Sequence, residues 1–421
     1  MTVRRKLGEA ITVHERNVES AIGRVPQWRS REASYIPLVG GLMNQNWLVE
    51  VAGDPRRYFI KVPGEGSEMF IDRVAANEAA RNAHAMGIAP EVIFFDAQDG
   101  LEVSEFLEGY RAWADLLFAV ILFAYPCLIL FTLLRLALFS RAVWRDLSDP
   151  RLVFSFFTVV AGTGVFGVAL HLRGFATAAV AMWLFALALW FVLVYFSFAV
   201  LIFLNSAGGA NIVHGGWLNA IVGTQSLAIL GVIIAPETGA LRPAVFVLAH
   251  MLWGMGLALY GIFITLFAHR IFFSDIDPDD ISPVLWVVMG AAAITTNAGS
   301  MLILADSGVS FLQSMRPLID GVTLVMWAWA TWWIPLLLML GIWKHGIRRV
   351  PLSYTPMLWS LVFPLGMYAV ATLRLSLAAE FPPLKLISQG MMWVALAAWT
   401  ATGLGFIYAC WQNYRQFAQG S

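Results

Sequence analysis

Nine apolar runs succeed one another beyond residue 112, centred near Phe123, Gly164, Trp190, Gly223, Met255, Ala292, Trp329, Phe363 and Ala398. Each approaches the length of about 20 apolar residues that a helix needs to cross the hydrocarbon of a bilayer. A soluble core can hide one such helix. Nine in series point to a membrane, where each helix satisfies its own backbone hydrogen bonds. Charge and turn residues separate the runs, as at Arg141 to Asp149, Ser274 to Asp280 and Lys344 to Arg349. The chain therefore reads as a mainly α, polytopic membrane protein of about nine transmembrane helices, with the lipid bilayer as its first partner.

Charge is unevenly placed. Charged residues are only 13% of the chain, yet 29 of the 54 fall in residues 1–112. This divides the sequence into a water-soluble head, 1–112, and a membrane body, 113–421. A net charge of zero gives no reason to expect a nucleic-acid partner. MTVRRKLGEA has a charged start with no apolar stretch behind it, so no signal peptide is expected. Cys127 and Cys410 sit in or beside apolar runs far apart in sequence. That predicts buried thiols and neither a disulfide nor a metal site.

The runs of the body alternate in kind. The odd ones are bulky, for example AMWLFALALWFVLVYFSFAVLIFL and VTLVMWAWATWWIPLLLMLGIW. The even ones are rich in small and mildly polar residues: VVAGTGVFGVAL, NAIVGTQSLAILG and VVMGAAAITTNAGSML. Recurrence of like types is the mark of a repeated helical hairpin. Small residues allow close approach, whereas Trp, Phe and Leu suit lipid, so the even helices are expected inside and the odd ones outside. A seam of small residues also fits tight packing with no pore. The glycines and polar groups that share these helices, Gly164, Thr224, Gln225, Thr295, Thr296 and Asn297, favour a pore lining. Intramembrane acids are scarce, which argues against proton relays and cation rings and for anions.

The eighth run, within Tyr354 to Ala379, carries Phe363-Pro364-Leu365-Gly366 at its middle. Pro and Gly there predict a broken spanning helix of the kind that lines transport pathways. Phe in a membrane helix is ordinarily core or lipid filler. Beside a helix-breaking Pro on an inner helix it becomes a candidate constriction, since an apolar ring gates by dewetting. Gly366 would line the same pathway. Arg374, near an end of this helix, either draws anions to the mouth or snorkels to the interface.

WRDLSDPRLVFSFFTVVAGTGVFGV, GGWLNAIVGTQSLAILG, SPVLWVVMGAAAI and TPMLWSLVFPLGMYAVATLRLS resemble the tellurite-resistance, C4-dicarboxylate and slow-anion-channel family of membrane proteins across residues 114–415. The resemblance implies five helical hairpins around a central pore, often assembled as trimers. Its substrates would be small inorganic or dicarboxylate anions such as malate, sulfite, nitrate or chloride. Phe363 falls where that family places the aromatic that plugs the pore. The family plan needs ten helices. Here the bulky run from Ala114 to Phe139 takes the second place, and the first, inner helix is missing from its position.

In the head, YIPL, NWLVEV and RYFIKV read as strands separated by Gly40-Gly41 and Gly53-Asp54-Pro55. A helix is expected over Phe70 to Met86, then strands EVIFFD and LEVSEF, making a small α+β unit. GGLMNQNWLVEV, RYFIKV, FIDRVAANEAARNAHAMGIAPEVIFFD and LEVSEFLEG resemble the N-terminal lobe of the choline-kinase and aminoglycoside-phosphotransferase family. By that resemblance Gly40 and Gly41 belong to the turn over the ATP phosphates, Lys61 contacts phosphate, Glu78 is its helix partner and Glu105-Phe106 forms the hinge. The second lobe, with its catalytic Asp and metal-binding residues, has no counterpart, and HGGWLN at His214 carries no carboxylate. Lys61 and Glu78 then read as a vestigial, structural ion pair.

The sequence thus predicts a multi-pass inner (plasma) membrane permease or channel for small anions, with no catalytic residue, cofactor or metal. The alternatives are a membrane-attached phosphotransferase and a non-transporting fusion with a nucleotide-binding or regulatory head. Arg141, Arg145, Arg151, Arg270, Lys344, Arg348 and Arg349 lie on one set of loops. The positive-inside rule puts that set and the C-terminus in the cytoplasm and, with an odd helix count, the head outside.

Overall fold

A computed structural model describes residues 4–38, 44–63, 77, 81, 90–106, 109–204, 213–273 and 277–419. It divides into two compact units, Met1–Ala119 and Val120–Ser421.

The first unit is built on a six-stranded antiparallel sheet of β1 (Arg5–Lys6), β2 (Ala33–Leu38), β3 (Asn44–Val51), β4 (Arg57–Pro63), β5 (Val92–Phe95) and β6 (Glu102–Glu105), in the order β1-β2-β3-β4-β6-β5. Five of these are the expected strands; β1 and the helix α1 (Val13–Arg24) precede them. The helix expected over Phe70 to Met86 lies outside the described residues, save Asn77 and Arg81, which are helical. A reciprocal capping box starts α1. Thr12 Oγ1 accepts from the Glu15 N–H, and the Glu15 carboxylate accepts from the Thr12 N–H at 2.7 Å. These backbone donors, chiefly Thr12 and then Ile11, together with Arg5, hold the Glu15 carboxyl down to about 2. The buried face of α1, Val18, Ala21 and Ile22, closes the core with Tyr35, Trp47, Tyr58, Ile60 and Val103.

The remaining described residues are mainly helical: α2 (Gly109–Leu138), α3 (Phe157–Leu172), α4 (Ala176–Phe203), α5 (Asn219–Ile234), α6 (Arg242–Phe273), α7 (Val287–Leu304), α8 (Arg316–Ile342), α9 (Trp359–Ala378) and α10 (Leu384–Gln419). Short helices at Ser140–Leu147 and Ser310–Ser314 lie between them. Among the described residues eight apolar stretches are long enough to cross a membrane. One of them, Gly215–Phe273, runs for 59 residues and holds both α5 and α6. At 1.5 Å per residue a straight helix of that length would far exceed a bilayer. The stretch instead leaves helical geometry at Gly239, whose φ is 56°, and α5 packs back against α6.

The alternation of small and bulky helices becomes an arrangement in space. The small helices pack in series, α3 on α5, α5 on α7 and α7 on α9. A 3₁₀ turn opens each of them: Val153–Phe156, Gly215–Leu218, Pro283–Trp286 and Pro356–Leu358. This shared entry is the structural form of the repeat. Aromatic donors tie bulky helices to small ones. Trp183 Nε1 donates to the Leu227 carbonyl at 2.9 Å, Trp190 Nε1 to Thr224 Oγ1 at 2.7 Å and Trp253 Nε1 to the Thr295 carbonyl at 3.1 Å. On one side, the segments leading into the small helices are pinned together. Trp217 Nε1 donates to the Pro150 carbonyl, Arg270 to the Val213 carbonyl and to Asp280, and His214 Nε2 to the Arg151 carbonyl.

Two expectations are corrected. The helix around Phe363-Pro364 is not broken: α9 is continuous from Trp359 to Ala378 with Pro364 inside it. The proline falls in the second turn, so its missing N–H removes one bond, to Ser360, without ending the helix. The cysteines are not buried. Both are free; Cys127 is half-buried and Cys410 exposed, each on a bulky outer helix.

Candidate anion pathway

Pro364 is seated against α7. A Cβ added to Gly290 would lie 2.8 Å from Pro364 Cγ, so glycine is what lets the two helices meet there. That contact fixes the rotation of α9. Val362, Leu365, Tyr368, Ala371, Thr372 and Leu375 are buried on one side. On the other, Phe363, Gly366, Met367, Val370, Arg374 and Leu377 form a continuous stripe at helical spacing. Every member of this stripe is half-buried or exposed, and nothing lies within 4 Å of a Cβ built on Gly366.

Phe363 and Arg374 are eleven residues apart, about three turns, which places them on one face some 16 Å apart along the axis. Phe363 packs at the edge of the apolar core. Arg374 is half-buried inside an apolar span and has no ion-pair partner among the described residues. Four residues from the end of α9, such a cation either snorkels to the interface or serves a pathway. The first small helix, α3, has a matching open stripe of Thr158, Gly162, Val165, Ala169 and Leu172, and Gly162 again faces empty space.

The polar groups of the small helices take different directions. Thr224 Oγ1 donates to the Ala220 carbonyl and accepts from Trp190 on α4. Gln225 reaches α6, with Nε2 donating to the Trp253 carbonyl at 3.2 Å against Gly256. Thr295 and Thr296 donate to carbonyls of their own helix and are wholly buried. Gly164 faces Ser226, its added Cβ falling 2.9 Å from the hydroxyl. Thr224 and Gln225 therefore meet outer helices and Gly164 meets α5, whereas Gly366 and Arg374 share the stripe of Phe363.

Asn297 on α7, one of several polar groups that the sequence assigns to a pore lining, meets that stripe. Its Nδ2 lies 3.7 Å from Met367 Sδ, and its Oδ1 is buried with no hydrogen-bond partner. Beyond it, Trp327 Nε1 donates to Thr372 Oγ1, Thr331 meets the Tyr368 hydroxyl at 2.7 Å, and Ser300, Thr323 and Ser376 keep unpartnered oxygens. A band of uncharged polar groups thus backs the stripe. In sequence nothing distinguishes these groups from the hydroxyls used in packing, because both are uncharged polar residues within apolar runs.

In the first unit, Gly40, Gly41 and Glu78 lie outside the described residues. Lys61 sits in β4, in register with Asn46 of β3 and Glu102 of β6. His214 begins the 3₁₀ turn before α5, where its Nδ1 accepts the Gly216 N–H at 2.9 Å. Burial pulls the ring's pKa down, so the neutral form holds this cap.

Helical hairpins with small inner and bulky outer faces, long and apolar enough to cross a membrane several times, define a polytopic membrane protein. The comparisons make this specific. Residues 86–407 match the family described as voltage-dependent anion channel, SLAC1, and the chain belongs to that family. Anion transport is accordingly its functional class. An uncharacterized membrane protein of Mycobacterium tuberculosis, matched in two strains, is 42% identical over 151 residues, 36% of this chain and 76% of that protein. An uncharacterized transporter of Methanocaldococcus jannaschii is 22% identical over 191 residues, 45% of this chain and 54% of that transporter.

Proposed function

We propose that the protein passes small anions, inorganic oxyanions or halides or C4-dicarboxylates, along the open stripe of α9, with Phe363 as the constriction and Arg374 as the cation that concentrates anions at one mouth. The supporting observation is that the stripe joins an aromatic ring, a glycine facing empty space and an unpaired arginine on one face of an inner helix. An arginine bears a fixed charge that attracts any small anion, and the uncharged polar band behind the stripe offers hydrogen bonds without trapping it. Pro364 contributes indirectly, by seating α9 on Gly290 so that Phe363 faces the stripe. Gly164, Thr224, Gln225, Thr295 and Thr296 then serve by holding the small helices in place. On this reading the chain makes nine spans, with α5 and α6 crossing separately, in the plasma membrane. Trimeric assembly, as the family resemblance implies, goes with it.

The test is anion flux in proteoliposomes. Phe363→Ala is expected to raise chloride or nitrate flux about tenfold, the effect of removing a barrier of about 1.4 kcal/mol. Arg374→Gln is expected to lower flux several-fold, most at low ionic strength, where a fixed charge is least screened. No flux in any form would remove the reading. Flux that ignores both substitutions would move the pathway off α9.

The kinase-like reading of the head rests, among the described residues, on Lys61 in β4 and on Glu105-Phe106 at the end of β6. Nucleotide binding that depends on Lys61 is what would sustain it.

A further inference from the structure

The C-terminal end of α8 carries a second constellation that the pathway does not use. The helix ends in a π-helical turn, Trp343–Ile347, a local widening that interrupts regular helix. The turn and the residues after it gather Lys344, His345, Arg348 and Arg349. Arg348 stacks on Trp343 at 5.0 Å, His345 Nδ1 donates to the Val350 carbonyl at 2.8 Å, and Lys344 Nζ donates to the Ile281 carbonyl at 2.8 Å. Arg349 holds a φ of 56°, a conformation seldom adopted by a residue with a side chain, which closes the turn. None of the four has an ion-pair partner among the described residues. The nearest acids in sequence to the Ile281 contact are Asp279 and Asp280, and Asp280 is engaged by Arg270 at 2.7 Å.

Beside these cations runs a cleft of about 600 Å³ between the end of α8 and the start of α9. Pro283, Trp286, Leu337, Leu338 and Leu361 wall it, Lys344 and His345 line it too, Arg348 and Arg349 fall in the loop between the lining residues Gly346 and Val350, and no acidic residue lines it. The cleft lies where the apolar spans Arg316–Ile347 and Pro356–Ala378 end, which is headgroup depth. A soluble anion gains nothing from an apolar wall of this size. A molecule with a phosphate and an attached hydrocarbon chain gains from both parts. The loop also belongs to the arginine-rich set that contains Arg141, Arg145, Arg151 and Arg270, the side facing an anionic leaflet.

We propose that this cleft binds an anionic phospholipid, its phosphate held by Lys344 at the cleft and by the exposed Arg348 and Arg349 of the adjoining loop, with one acyl chain laid along Leu337, Leu338 and Leu361. A lipid seated there bridges the end of α8 to the entry of α9 and so clamps the helix that carries Phe363.

The test uses the purified full chain in detergent, with phosphatidylglycerol, phosphatidylcholine and inorganic phosphate as probes and native mass spectrometry as the readout. Phosphatidylglycerol is expected to bind at least tenfold tighter than phosphatidylcholine, with no competition from millimolar phosphate. Arg348→Gln with Arg349→Gln, both exposed, should lose about tenfold in that affinity. Gly341→Trp, which fills the cleft from a position whose Cβ meets nothing within 4 Å, should lose it as well. Arg141→Gln with Arg145→Gln should bind as the natural chain does. The proposal is overturned if phosphate competes fully, if Gly341→Trp binds phosphatidylglycerol normally, or if the Arg141 and Arg145 pair matters as much as the Arg348 and Arg349 pair.

Discussion

The four small helices share one repeat and one manner of entry, yet two are sealed and two are open. Every residue of α5 except Asn219 and Ile233 is buried, and every residue of α7 except Met301 and Leu304. In contrast, α3 and α9 each bury one face and leave a stripe uncovered. Composition alone does not separate the pairs, since glycine, alanine and hydroxyl residues occur in all four. Position in the series does: α5 and α7 have a small helix on both sides, while α3 and α9 each have one. Small residues therefore act as packing seams in the middle of the series, and at its ends they leave space.

That contrast can be broken at its glycines. Gly290→Leu in the sealed pair must displace Pro364, and overpacking of this kind costs about 1–3 kcal/mol. Gly162→Leu on the open stripe of α3 meets nothing within 4 Å and should leave thermal unfolding nearly unchanged. Equal losses in the two variants, read as unfolding midpoints in detergent, would erase the distinction.

A smaller effect is expected at the outer contacts of the sealed pair. Trp190→Phe removes the donor to buried Thr224 and should cost about 1 kcal/mol, whereas the same change at exposed Trp393 on α10 should cost less than half of that.

Acid should act on the entry to α5 before it reaches the open helices. His214 has its pKa lowered from an ordinary 6.5 by burial, opposed by its bond to the Arg151 carbonyl and reinforced by Arg270 and Arg151, with Asp149 pulling the other way. A depressed histidine favours the folded state while neutral. That contribution is complete above pH 6.5 and declines as pH falls below it, because the unfolded chain takes up the proton first. The unfolding midpoint should drop as pH falls below 6.5, and His214→Gln should flatten the drop.

In the head, Thr12→Ala removes half of the capping box and should cost about 1 kcal/mol. The Glu15 carboxyl, held near 2 against an ordinary 4.5, stabilises the head above pH 4.5 and less as pH falls toward 2. An acid titration of head unfolding that Glu15→Gln leaves unaltered would contradict this.

The order of helices and the inner and outer assignment were legible in the sequence because they rest on residue size, which is local. The broken helix was not. Proline in the middle of an apolar run looks central, but the run begins with a 3₁₀ turn at Pro356–Leu358, so Pro364 falls only one turn and a half into α9. The directions of Thr224, Gln225 and Thr295 were equally hidden. A polar side chain on a small helix serves a pore or an outer helix according to the neighbour it meets, and Trp190 lies 34 residues from Thr224 and Trp253 28 residues from Gln225. The strand pattern from Tyr35 to Phe106 showed plainly in alternating residues, whereas α1 rests on a capping box whose members, Thr12 and Glu15, precede any apolar run.

Whether the stripe of α9 faces water and anions or lipid decides where the pathway lies. In a background with Cys127 and Cys410 replaced by alanine, Val370→Cys on the stripe and Ala371→Cys on the buried face can be treated in proteoliposomes with a charged, membrane-impermeant thiol reagent. Val370→Cys is expected to be labelled, with loss of anion flux and protection by high chloride, while Ala371→Cys stays unlabelled. If Val370→Cys resists the reagent, or is labelled without any change in flux, the stripe faces lipid and the pathway lies elsewhere.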